Sequence, residues 1–288
     1  MVSFTIIFSV LILSFTLFSL IRADYWTFRV FDYPRLQKFV LSVVALSLLL
    51  LYNQDTLFHK VLMILMSLNI FFLGSLIWPF TVLSKKQVLN ISRPKPDENI
   101  SVMISNVYQD NQNFGGCLRE IEKANPDLVL LLETNSTWER ETRKLEDSYA
   151  YHVKIPLENT YGMLLYSKLE LRDARVHYLV EEDIPSIHTR VLLRSGREVQ
   201  VIAVHPTPPV PNENPRSSER DKELLIVADR AKSCSLPVIV MGDLNDVAWS
   251  YTTDLFLKMS GLLDPRRGRG FFNSFHAHYF FLRFPLDH

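Results

Sequence analysis

The chain changes character about a third of the way along. Up to residue 84 the apolar positions run together in long blocks. Val2 to Ile21 is twenty residues with nothing more polar than Ser or Thr, Phe39 to Tyr52 is a second block of fourteen, and Val61 to Leu83 is a third with Asn69 inside and Trp78 near one end. A helix of about 20 apolar residues crosses a bilayer core of roughly 30 Å, so the first and third blocks read as membrane spans. The middle block is short unless Leu36 and a snorkelling Lys38 extend it. Three spans are expected, with two as the alternative. A cleavable signal peptide is the competing reading of the first block. It would want positive charge before the block and small residues after it, whereas the block is succeeded by Arg22-Ala23-Asp24-Tyr25-Trp26.

From residue 99 onward the apolar runs shrink to strand length and are punctuated by polar and proline-containing segments. Ile100 to Ser105, Asp127 to Leu132, Val199 to Val204 and Pro237 to Met241 are runs of the kind buried on both faces of a sheet. Between them, Asn113 to Asn125 spaces Leu118 and Ile121 as one face of a helix that stops before Pro126. Ser217 to Lys232 does the same with Leu224, Leu225 and Ala228. Strands alternating with helices predict an α/β domain over 99–288, joined by a polar linker at 85–98 to a membrane anchor at 1–84.

The chemistry sits where those runs end. The first is followed by Asn106, the second by Glu133, the third by His205 and a loop with five prolines in 205–215, and the fourth by Gly242-Asp243-Leu244-Asn245. Taken singly, a strand-end Asn, Glu or His is more often a solvated or capping residue than a catalytic one. Four at the ends of four strands supply the neutral and anionic oxygens that a hard cation such as Mg²⁺ prefers, beside an imidazole for proton transfer or charge stabilisation. Asp243 and Asn245 are two apart, so on extended backbone their side chains would face the same way and could hold a water between them. His276 and His278 are also two apart, but no Cys or carboxylate cluster accompanies them and a surface pair is the simpler reading.

Asn106 in MISNVY, Glu133 in ANPDLVLLLET, Gly162 to Ser167 in YGMLLYSKLEL, His205 in VIAVHPTPP and GDLND at 242–246 occur in the order and spacing of the endonuclease/exonuclease/phosphatase superfamily. The chain resembles the branch whose members carry amino-terminal membrane segments. The resemblance implies a four-layer α/β sandwich, two packed mixed sheets flanked by helices, preceded by transmembrane helices. It implies a divalent-metal-dependent phosphoester hydrolase of nuclease, phosphodiesterase or phosphatase type. Glu133 helped by Asn106 would hold Mg²⁺, with Mn²⁺ as the alternative ion. His205 would bond the phosphate, and Asp243 and Asn245 would orient the attacking water, Asn245 also touching the phosphate. Arg190 is placed where a phosphate-binding Arg is plausible, although a strand-edge charge explains it equally well.

Pro285-Leu286-Asp287-His288 is similar to the family's Ile-Asp-His or Ile-Asp-Tyr strand start, whose Asp, here Asp287, would help to position the catalytic histidines. No Ser-Asp-His comes after it. The expectation is a chain missing its last strands, with His288 as a substitute for the absent histidine being the alternative, and an inactive domain that binds a phosphorylated ligand or partner as the competing function.

Charge refines the picture. Residues 1–96 carry nine Lys/Arg against three Asp/Glu and the remainder twenty-two against twenty-eight, so an anchor at +6 is joined to a domain at −6. An acidic domain is a poor platform for long duplex DNA, which draws on several phosphate contacts from Lys and Arg. A small or lipid-linked phosphoester is therefore preferred over a long duplex, nucleic acid staying among the expected substrates, with Arg266, Arg267 and Arg269 available to grip one phosphate. With three spans, the basic residues at 22–38 and at 85–95 fall on one side, which by the positive-inside rule places the domain in the cytoplasm at the inner membrane. The bilayer is the second expected partner and no obligate protein partner is implied. Cys117 and Cys234 are isolated and could be buried thiols or a bridge.

Overall fold

The computed structural model describes residues 1–93, 95–276, 279 and 281–288. Helices α1 (Val2–Phe18), α3 (Arg35–Leu51) and α4 (Leu57–Ile77), with the short α2 (Trp26–Arg29) between the first two, form the amino-terminal part. Pro34 precedes α3, and the Thr56 hydroxyl caps α4 by accepting from the His59 N–H. Ile12, Ala45, Leu49, Leu62 and Met66 pack where the three long helices meet.

The count of three spans is not supported. Among the described residues only Leu57–Phe80 is long and apolar enough to cross a membrane, and Trp26–Asp32 with Arg35–Leu51, bent by 68°, would make a second only if the broken pair counts as one. The block at Val2 to Ile21 yields a helix of 17 residues, because an apolar run does not fix where its helix ends.

The rest is a sandwich. The first sheet has the order β1 (Val102–Asn106), β2 (Leu128–Leu132), β4 (Met163–Ser167), β3 (Tyr151–Ile155). The second has the order β5 (Leu171–Tyr178), β6 (Pro185–Leu192), β7 (Glu198–Val204), β8 (Val238–Gly242). Each is mixed: β1 with β2 and β7 with β8 are parallel, and the other pairs are antiparallel. Leu128, Leu130, Leu132, Leu165, Ile187, Val191, Val201 and Ala203 fill the space between the sheets. The opposite face of β2 and β4, Val129, Leu131, Leu164 and Tyr166, packs on Leu118 and Ile121 of α5 (Phe114–Ala124) and Trp138 of α6 (Ser136–Thr142). Ile202 and Val204 on the outer side of the second sheet meet Leu224, Val227 and Ala228 of α7 (Ser218–Ser233) and Phe256 of α8 (Tyr251–Ser260). The layers are thus helix, sheet, sheet, helix, and burial on both faces is why the β2 run Leu128 to Leu132 is apolar without alternation. Both cysteines are free.

The predicted linker is not a free tether. The N–H of Gln87 donates to the Arg267 carbonyl and its side chain accepts from the Asp264 N–H, while Arg269 reaches Asn90.

Two features of the second sheet have measurable consequences. Gly242 lies at φ +147°, and a Cβ there would come within 1.9 Å of the Val204 carbonyl oxygen, so Gly242→Ala should destabilise the full chain by about 3 kcal/mol or more in thermal or denaturant unfolding. Glu223 of α7 is buried with Oε1 lacking a hydrogen-bond partner, and burial, with Glu181 adding to it, pushes its carboxyl up to about 8. A carboxyl whose folded pKa is raised favours the folded state fully below its unfolded pKa, and loses that contribution as pH rises through the folded value. Stability should therefore fall between pH 4.5 and 8, and Glu223→Gln should flatten that fall, as read from melting temperature against pH.

Candidate active site

Strand pairing brings the polar strand ends together. β1 and β2 are parallel with Asn106 opposite Leu132, so Asn106 and Glu133 leave the first sheet side by side. β7 and β8 are parallel with Val204 opposite Gly242, so His205 and Asp243 leave the second sheet in the same way. Stacking the sheets places these edges against each other. The Asn106 Nδ2 donates to Glu133 Oε1 at 2.6 Å and to Asp243 Oδ2 at 3.2 Å, bridging carboxylates that belong to different sheets. Its Oδ1 accepts from the Tyr108 N–H at 3.1 Å. Gly162, in the YGM motif, lies so close to the loop after Glu133 that a Cβ would be 1.7 Å from the Thr134 oxygen.

Asp243 and Asn245 do not share a face of extended backbone as their spacing suggests. Asn245 is left-handed at φ +49°, its N–H donates to Asp243 Oδ1 at 2.9 Å, and its side-chain Nδ2 donates to the Pro206 carbonyl at 2.8 Å. The turn is closed by the aspartate itself, and the Asn245 amide ties it to the proline-rich loop after His205. Glu133 is also left-handed, at φ +56°. Two non-glycine residues in that region at one site is backbone strain of the kind that collects where geometry is imposed for function.

His205 is 3% exposed, its ring lies 5.4 Å from that of Tyr161, and Nδ1 has no hydrogen-bond partner among the described residues. Burial holds the imidazole below its ordinary value, opposed by the charge of Glu133. Burial likewise raises the carboxyls of Glu133 and Asp243, against the hydrogen bonds each accepts from Asn106. The segment 286–288 runs antiparallel beside β8, with Asp287 across from Asp243 and Gly242 exchanging two backbone bonds with His288. Burial, with the Asp243 charge adding to it, pushes Asp287 up to about 7, and its Oδ1 has no partner among the described residues.

Three carboxyls raised by burial, two of them sharing one neutral amide and the third with an orphaned oxygen, form an oxygen-rich site short of positive charge. That donor set fits a hard divalent cation. No group of three His, Cys, Asp or Glu side chains is arranged as a ligand shell among the described residues, and of the Asn106 amide only Oδ1, which accepts from the Tyr108 N–H, could join one.

Other expected contributors are not brought to this edge. Arg190 is opposite Gln200 in the β6–β7 ladder, back from the Val204 end, and is ion-paired with Glu198 at 2.7 Å and with Asp173. It lines a separate cavity of about 260 Å³ with His177, His188 and Arg230. Arg266 borders the site, its Nη1 donating to the Asp287 carbonyl at 3.2 Å, but it is buried in an ion pair with Asp264 at 2.8 Å; Arg267 reaches Asp254 and Arg269 reaches Asn90. His288 is held by Arg266 Nη2 at 2.7 Å and lies 3.3 Å from the Asp246 carbonyl oxygen, so its ring is committed there and not to the Asn106 bridge. Of the pair His276 and His278, the second lies outside the described residues.

Several side chains that hold the site have no role in the sequence pattern. Tyr161 is the ring against His205. Asp246, the last residue of GDLND, is buried, accepting from the Val247 N–H and the Ser250 hydroxyl and ion-paired with Arg220 at 3.5 Å. An apolar stretch that ends in two buried acidic residues is the signal that could have pointed to a buried arginine.

Residues 103–288 match the model of the Endonuclease/Exonuclease/phosphatase family. Among solved structures, D. rerio TDP2 complexed with a single-strand DNA product is similar at 20% identity and a TM-score of 0.46, over 58% of this chain and 67% of that one. The human Nocturnin catalytic domain with bound sulfate is similar at 19% identity and 0.46, over 56% and 70%. A β-hairpin deletion mutant of beta toxin from Staphylococcus aureus is similar at 16% and 0.47, over 58% and 75%. No curated protein matches the chain. The family match runs from β1 through residue 288 and takes in every strand end that meets at the Asn106 bridge, and on that match the chain belongs to the endonuclease/exonuclease/phosphatase family.

Proposed function

We propose that this chain is a membrane-anchored, divalent-metal-dependent phosphoester hydrolase that uses water to attack phosphorus. The observation that carries the reading is the Asn106 amide bridging Glu133 and Asp243, with His205 on the neighbouring strand end. Glu133 and Asn106 would hold Mg²⁺ or Mn²⁺, which when bound supplies Lewis-acid polarisation of the phosphoryl oxygen. Asp243, desolvated and hence more basic than an exposed aspartate, accepts the proton of the attacking water. His205, directed by Tyr161, hydrogen-bonds the phosphate and stabilises the charge that grows on it. Asn245 fixes the rotamer of Asp243 through its N–H and joins the His205 loop to the Asp243 turn. Asp287 lies across from Asp243, whose charge adds to burial in raising the Asp287 carboxyl.

The charge partition favours a small or lipid-linked phosphoester as substrate. The anchor reading is supported by the way the amino-terminal helices distribute polarity. Thr5, Ser9, Ser42 and Asn69 are buried, with Asn69 Nδ2 donating to Ser42 Oγ at 2.9 Å, while Ile7, Leu11, Ile64, Leu68 and Phe71 are exposed. Large apolar side chains outside, with bonded polar groups inside beside the apolar cluster, suit lipid as the surrounding solvent. α4, with its extension to Phe80, is the helix of spanning length, and α1 and α3 pack beside it. Both basic flanks sit on the side of the catalytic domain, Arg29 on Asp221 and Gln87 on Arg267, which favours a cytoplasmic domain at the inner membrane.

Full chain assayed on bis(p-nitrophenyl) phosphate should need added Mg²⁺ or Mn²⁺ after chelation. Glu133→Gln and Asp243→Asn should each lower kcat/KM by about 100-fold or more with melting temperature held, while Arg190→Ala should stay within about twofold. Activity of both site variants near that of the wild type would remove the assignment. A fluorescent protein fused after Lys86 is expected to mature in the cytoplasm, and an active alkaline phosphatase at the same point would reverse the orientation.

A further inference from the structure

The turn that carries Asp243 and Asn245 is held from outside the family-matched region. The Asn245 carbonyl oxygen accepts two hydrogen bonds, from the Tyr33 hydroxyl at 3.2 Å and from Arg220 Nη1 at 2.6 Å. Four residues on, the indole N–H of Trp249 donates to the Asp32 carbonyl at 2.9 Å. Around these bonds the two parts of the chain share one apolar cluster, in which Phe80 joins Val247, Ala248, Trp249, Phe284 and Leu286, with Tyr33 packed against it. The Tyr33 ring stands edge-on to Phe284 and Phe80 edge-on to Trp249.

The second donor is tied to the same amino-terminal segment. Ser217 N–H donates to the Asp24 carbonyl and Trp26 N–H to the Pro215 carbonyl, and Arg29 pairs with Asp221 at 3.3 Å. These contacts fix the start of α7, the helix from which Arg220 reaches the Asn245 oxygen.

We infer that the loop between α1 and α3 is a structural part of the catalytic centre, and that Tyr33 is a positioning residue for Asp243. Two donors on one carbonyl fix the peptide plane of Asn245, whose left-handed backbone has few neighbouring conformations to relax into. With that plane fixed, the Asn245 N–H stays on Asp243 Oδ1 and its side chain stays on the carbonyl of Pro206, the residue next to His205. A displacement of the loop between α1 and α3 would move both at once, so the position of the loop and the geometry of the site are coupled through the Asn245 peptide. The inference rests on the hydrolase reading above and adds to it that this anchor does more than localise the domain.

The test uses the full chain in detergent or vesicles, with steady-state kinetics and melting temperature for Tyr33→Phe, Trp249→Phe, Asp243→Asn and the double variant Tyr33→Phe/Asp243→Asn. Tyr33→Phe keeps the ring on Phe284 and removes only the hydroxyl. It should lower kcat about three- to tenfold with KM and melting temperature nearly unchanged, and Trp249→Phe should behave likewise. In the Asp243→Asn background the Tyr33→Phe effect should vanish. Wild-type kcat in Tyr33→Phe, an effect that persists undiminished beside Asp243→Asn, or a large fall in melting temperature in both aromatic variants would overturn the inference while leaving the hydrolase reading in place. Full activity of Asp243→Asn itself would instead remove the hydrolase reading.

Discussion

Two carboxylates, the buried Asp243 and the half-buried Glu133, one from each sheet, meet at the amide nitrogen of a single asparagine, and most of the domain can be understood as what is required to keep them there. Asn106 must leave β1 beside Glu133, which the parallel register of β1 and β2 secures, and Asp243 must leave β8 at the same height, which the register of β7 and β8 secures. The separation of the two sheets then decides whether one amide can span both groups, and that separation is set by side-chain volume between them, Leu130, Leu165, Ile187 and Val201 among others. Gly242 and Gly162 mark where backbone passes too close for any side chain. A neutral amide cannot offset the charge of one buried and one half-buried carboxylate side by side, so the arrangement favours protons on the carboxyls or a cation among them. That demand for positive charge is the physical link between the fold and the proposed chemistry.

The residues legible in the sequence are those whose position follows from strand pairing alone. A run buried on both faces ends where the sheet ends, and neighbouring parallel strands end at the same edge, so Asn106, Glu133, His205 and Asp243 can be grouped from the linear pattern. The helices α5 and α7 are legible too, from spacing and from Pro126. The hidden part depends on information that a linear pattern does not hold. Arg190 is assigned by its partners, one of which, Asp173, sits at a register shift in β5. Asn245 is assigned by a left-handed backbone angle, which reverses the inference drawn from its spacing to Asp243. β5 carries Arg172, Asp173 and Arg175 on an exposed edge, so it has none of the apolar pattern by which the inner strands are recognised. The span count fails for a related reason: composition over a window does not say where a helix stops, and the helix in the block Val2 to Ile21 ends at Phe18.

The amino-terminal helices bury bonded polar groups beside their apolar contacts, and the site lies near where those helices meet the sandwich. In the helices polar groups turn inward, as with Asn69 on Ser42 and Lys38 on the Phe31 carbonyl, whereas the sandwich buries leucines and valines between its sheets. The junction is the aromatic cluster of Phe80, Trp249 and Phe284, with Tyr33 against it, whose rings offer apolar faces and, at Tyr33 and Trp249, one polar atom each. Those two polar atoms bond backbone carbonyls on either side of the junction, at Asn245 in the GDLND turn and at Asp32 in the anchor loop. A catalytic loop carries unpaired backbone groups wherever it must stay open to substrate, and rigidity there has to come from the side that substrate does not reach. Here that side is supplied by the amino-terminal helices and the loop between them. Because the Asn245 carbonyl takes its donors from Tyr33 and from an arginine whose helix is itself bonded to Asp24 and Arg29, the backbone of the turn that carries Asp243 is held jointly by residues 24–33 and by the sandwich.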